Sequence, residues 1–175
     1  MTDMAIIHIP TTPEVRKFTL IEHQDMVYMR GQEPIIKINR KHLLGNMIAC
    51  LLNEDLTDFT PQKRPACYIS FELPAAYDRA WLSEQQAQRI RLHLDRYFKS
   101  DFCKYIDLCV SQGIEVIRAM DMYREMYDIS EDEYSCEAMH NYYYRYGRKN
   151  HLERLASPTR MSFLRQISSR MVASA

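Results

Sequence analysis

The 175-residue chain is 46% apolar and 26% charged, with four glycines and seven prolines, proportions that fill a folded core and exclude a collagenous or wholly disordered polypeptide. Its 23 basic and 23 acidic residues cancel, and no apolar run approaches the ~20 residues of a membrane span. Five cysteines at unpatterned spacings describe no disulfide framework, so reduced thiols and a cytoplasmic, membrane-free protein are expected.

In chain order, Lys17 to Arg30 is rich in β-branched and aromatic residues and reads as imperfectly alternating strand. Gly31-Gln32-Glu33-Pro34 interrupts it before Ile35 to Ile38, the pattern of a hairpin. Asn39 is a candidate N-cap for a helix burying Leu43, Leu44, Met47, Ile48, Leu51 and Leu52, which recur at i, i+3 and i+4. Glu54 to Pro65, with two prolines, reads as loop. Cys67, Ile69, Phe71 and Leu73 then alternate with Tyr68, Ser70 and Glu72, which predicts a strand with one apolar and one polar face.

From residue 82 the pattern turns helical. Ser83-Glu84-Gln85-Gln86 predicts a capping box, and Ser100-Asp101 predicts the start of a further helix that stops near Gly113. A helix is expected from Ile114 to Tyr127 with Ile117, Met120, Tyr123 and Tyr127 on one side. Ser130-Glu131-Asp132-Glu133 predicts a second capping box, opening a helix that buries Tyr134, Ala138 and Tyr142 and ends at Tyr146-Gly147. Two helices separated only by Asp128 to Ser130 would form a helix-turn-helix-like unit. The expected fold is α+β: a small antiparallel sheet of two or three strands with one helix over 1–80, a helical part over 81–155, and a basic tail over 156–175.

Charge is unevenly spread. Asp121 to Met139 holds seven acids against Arg124 alone, whereas His140 to Ala175 holds seven bases against Glu153 alone. Cations interleaved with phenols and amides suit phosphates and bases, which makes Asn141, Tyr143, Tyr144, Arg145, Arg148, Lys149 and Arg154 the candidate nucleic-acid-binding residues. The carboxylates of the predicted first turn would repel phosphate, so contact is assigned to the far end of that helix. No G-x-x-x-x-G-K-[ST], G-x-G-x-x-G or G-x-S-x-G occurs, and the cysteines and histidines lack paired zinc spacing. Neither a cofactor nor a metal is therefore expected. The leading expectation is a non-enzymatic nucleic-acid-binding or regulatory protein. The competing one is a protein-interaction or homo-oligomeric assembly module whose acidic and basic segments pair between subunits, with an enzyme third.

Overall fold

Four strands make one mixed sheet in the order β1-β4-β3-β2: β1 Ile6–Pro10, β2 Val27–Arg30, β3 Glu33–Lys37 and β4 Tyr68–Glu72. The computed structural model describes residues 5–39, 41–52, 67–74 and 82–147. Five helices accompany the strands: α1 Pro13–Glu22, α2 Leu43–Leu52, α3 Glu84–Ser111, α4 Val116–Met126 and α5 Cys136–Tyr142. The fold is therefore α+β with a helical C-terminal region, and none of these helices is long and apolar enough to cross a membrane. The sheet is larger than the sequence pattern implies and is not purely antiparallel, because β3 and β4 run parallel while β1–β4 and β2–β3 are antiparallel. Parallel neighbours need a crossover, and α2 lies on the connection between them.

Two elements of the N-terminal part are not assigned from the sequence pattern. Ile6–Pro10 is a strand, and much of the segment read as strand is instead α1. Pro13 at the first helical position and Glu14 in the first turn favour a helix start, and Val15, Phe18 and Thr19 form a buried i, i+3, i+4 face. Packing of that face outweighs the strand preference of its β-branched residues. The hairpin is present, with Gly31 at φ +66° in the first of two loop positions, where a side chain would be strained. Asn39 does not cap α2 directly. Its Oδ1 accepts from the Lys41 amide at 3.0 Å, its carbonyl accepts from the His42 amide at 3.0 Å, and the helix begins at Leu43. Leu43, expected in the core, is 83% exposed.

The capping box at Ser83 forms as predicted: Ser83 Oγ accepts from the Gln86 amide at 3.2 Å and Gln86 Oε1 accepts from the Ser83 amide at 3.0 Å. Gln86 Nε2 also donates to the Leu51 carbonyl at 3.0 Å, tying the start of α3 to the end of α2. Ser100-Asp101 starts no new helix. A single apolar stripe, Ile90, Leu94, Phe98, Phe102, Ile106 and Cys109, runs the length of α3, and its burial overrides the weak local preference of serine and aspartate for a cap. Gly113, at φ +83°, ends α3 where the Ile114 amide reaches the Cys109 carbonyl at 3.0 Å.

One buried cluster joins both parts of the chain: Ile7, Ile9, Ile36, Ile69 and Phe71 from the sheet, Phe18 from α1, the α3 stripe, and Met120, Tyr123, Met139 and Tyr143 from the C-terminal elements. Phe18 sits at its centre, with ring centroids 5.4 Å from Phe98 and 5.1 Å from Tyr127.

Candidate nucleic-acid interface and the polar face of the sheet

The unit expected as helix, short turn and helix is spaced differently. α4 ends in the same way as α3, with Asp128 at φ +52° and the Ile129 amide reaching the Arg124 carbonyl at 2.9 Å. Residues 127–135 then lead to α5, so the turn is longer than the three residues read from the sequence. Half of the second capping box forms, since Glu133 Oε2 accepts from the Ser130 amide at 2.8 Å, yet the chain only turns there. The working cap is Ser135, whose Oγ accepts from the Ala138 amide at 3.1 Å. This later start shifts the buried face: Met139 and Tyr143 are buried, Ala138 is exposed, and Ile117 of α4 also faces solvent.

Part of the acidic segment is paired with cations of α1 and α4: Lys17, Arg118 and Arg124 face five of its seven carboxylates, so a negative excess remains. Lys17 Nζ lies 2.9 Å from Glu133 Oε2 and 3.5 Å from Asp128 Oδ2, and Arg124 pairs with Glu131 and lies 3.9 Å from Asp121. Arg118 faces Glu125 at 3.9 Å. The Lys17 hydrogen bond holds the Glu133 carboxyl below its usual range, and the same bond raises the Lys17 ammonium.

Of the residues assigned to nucleic acid, Asn141, Tyr144 and Arg145 are exposed at the end of α5 and in the π-helical turn Tyr143–Gly147 that follows. Tyr143 is buried, and its hydroxyl donates to Asp107 Oδ1 at 2.9 Å, so it anchors this end to α3. Burial and that bond push its phenol well above the ordinary range. Gly147 is required at the turn, because an added Cβ would lie 2.7 Å from the Tyr143 ring and 2.9 Å from Cys103 Sγ. Arg148, Lys149 and Arg154 lie outside the described residues, as does the predicted tail. The structure brings three further residues to this end: Tyr146, 55% exposed beside Tyr142, and the half-buried His140 and Lys99, the first packed on Tyr144 with centroids 4.4 Å apart and the second paired with Asp95 at 2.7 Å with its Nζ 5.2 Å from the Tyr142 ring centroid. Lys99 comes from α3, a contribution that no local pattern around residue 142 signals.

A second polar assembly was not foreseen. By register, His8, Glu33, Ser70, Tyr68, Arg30, Tyr28, Lys37 and Glu72 share the sheet face opposite Ile7, Ile9, Ile36 and Phe71. Ser70 and Glu72 are buried although the alternation marked them as the polar side, because β4 is an inner strand flanked on both sides. Ser70 Oγ donates to Glu33 Oε1, and His8 Nδ1 lies 2.9 Å from Ser70 Oγ. Ser70 Oγ thus bridges the Glu33 carboxylate and the His8 ring. Nearby, Tyr28 donates to Glu72, and burial together with this bond pushes the phenol up to about 12. Lys37 Nζ lies 3.6 Å from Glu72 Oε1. Among the described residues no three histidine, cysteine or carboxylate side chains cluster as metal ligands.

Comparison with known proteins finds no matching family model, no curated relative and no similar solved structure.

Proposed function

We propose that this is a non-enzymatic, nucleic-acid-binding regulatory protein that contacts its ligand through the end of α5 and the π turn. The reading is carried by the exposure of Asn141, Tyr144, Arg145 and Tyr146 together at the end of α5 and in the π turn, while Lys17, Arg118 and Arg124 pair with part of the preceding acidic segment. Tyrosine rings and a guanidinium offer stacking and phosphate contact without sequence reading by a helix N-terminus. In this reading α4 and α5 act as a helix-turn-helix-like pair used at its far end, and Tyr143 serves as its anchor. Arg148, Lys149 and Arg154, which follow in sequence and lie outside the described residues, are assigned to the same contact by their charge alone. The assembly alternative asks the same carboxylates to pair with a neighbouring subunit's basic segment, and their internal partners weaken its support.

The test measures binding of a DNA duplex and of single-stranded RNA at low and moderate salt for the wild type and for Arg145→Ala combined with Arg148→Ala and Lys149→Ala. Removal of three phosphate contacts lowers affinity by at least about tenfold and flattens the salt dependence by roughly two to three units of slope. No binding at low salt, or equal affinity in the triple variant, overturns the assignment.

A further inference from the structure

A cavity of about 520 Å³ opens beside the polar face of the sheet, lined by Arg16, Arg30, Gln32, Glu33, Tyr68 and Ser70 among others. Its volume lies in the range of small-molecule sites. Its charge arrangement is unusual for this molecule. Arg16 donates Nε to the Tyr68 carbonyl at 3.1 Å, which fixes the guanidinium on the cavity wall, and neither Arg16 nor Arg30 has a carboxylate partner among the described residues. The one carboxylate on the same wall, Glu33, is bonded to Ser70 and lies 3.5 Å from His8. Arg30 and Glu33 are register partners across the hairpin. Two guanidinium groups from separate elements, α1 and β2, therefore line one concave space beside a single lining carboxylate, Glu33, and neither is ion-paired with a described residue. Arg16 is half-buried and Arg30 exposed at the rim, and an oxyanion is the chemistry that two planar forks accept best.

We propose that this cavity binds a small oxyanionic molecule, a carboxylate or a phosphate ester, held by Arg16 and Arg30, with Gln32 and the Tyr68 edge contacting its uncharged part. The site is separate from the α5 surface and does not depend on the nucleic-acid reading.

The experiment titrates the full chain with inorganic phosphate and with succinate in the millimolar range, at constant ionic strength set by chloride, and follows melting temperature and calorimetric heat. One or both anions raise the melting temperature of the wild type, and the arm that responds distinguishes phosphate from carboxylate. Arg30→Gln, at an exposed side chain, leaves the unliganded protein folded and weakens anion binding by about tenfold or more. Arg16→Gln does the same, whereas Arg145→Ala leaves anion binding unchanged. The proposal is overturned if neither anion binds beyond the chloride control, if Arg30→Gln binds as tightly as the wild type, or if Arg145→Ala abolishes the response.

Discussion

Arg16 and Lys17 are consecutive on α1, and a turn of about 100° between them sends their charges to opposite fates. Lys17 meets Glu133 and Asp128 and becomes a strut between the first helix and the segment leading into α5. Arg16 turns to the sheet, spends one donor on a backbone carbonyl, and leaves the rest of its fork on a cavity wall. The sequence around them gives no hint of the difference. What separates the two is the presence of a carboxylate delivered from more than a hundred residues away, which makes one cation part of the framework and leaves the other open to a ligand.

The largest perturbation of this comparison is Phe18→Ala, which removes the shared anchor of both sides of α1. Phe18 is fully buried among Phe98, Tyr97 and Tyr127, so truncation costs about 3–5 kcal/mol in urea unfolding. A loss under about 1 kcal/mol would mean that α1 is not seated as described.

Glu133→Gln is smaller and one-sided, because it breaks the Lys17 strut and leaves Arg16 in place. The pair is part-exposed, so the loss at neutral pH is about 1 kcal/mol or less. Since the Glu133 carboxyl is held below its ordinary value, its contribution is present above that value and disappears as pH falls through the lowered one. Chemical unfolding across an acid series checks this: the gap between wild type and variant closes at the acid end, and a gap independent of pH contradicts the ion pair.

The mirror case is Asp101, a carboxylate with no ion-pair partner among the described residues, which accepts from the Tyr123 hydroxyl at 3.2 Å. Burial, reinforced by the nearby Glu22 charge, raises its carboxyl above the ordinary value. The folded state thus favours the protonated form, and stability is lost as pH rises through the raised value. Asp101→Asn keeps an acceptor for Tyr123 and removes that penalty, so at neutral pH it melts higher than the wild type, by less than about 1 kcal/mol after solvent screening. The advantage vanishes below the ordinary carboxylate range, and a variant less stable at neutral pH refutes the account.

Sequence legibility followed the same divide between local and delivered interactions. The Ser83 capping box, the Gly113 stop, the Gly31 hairpin and the alternation along β4 are settled within a few residues, and each was readable. The extra helix start at Ser100, the capping role of Ser130 and the burial of Leu43 were misread, because packing across elements outweighs preferences worth well under 1 kcal/mol per residue. At the candidate nucleic-acid surface Asn141, Tyr144 and Arg145 are exposed, whereas Tyr143 was unreadable as an anchor since Asp107 reaches it from α3.

By itself, then, the amino-acid sequence determined the α+β class, the boundaries set by caps and turns, and the opposed acidic and basic segments, all consequences of composition and near-neighbour geometry. Only the tertiary structure decided the parallel pairing of β3 with β4, the burial of Ser70 and Glu72, which cations found carboxylates, and that Arg16 and Arg30 share a cavity. Those outcomes depend on contacts between distant residues, whose partners are chosen when the core closes, and no window along the chain contains both halves of such a pair.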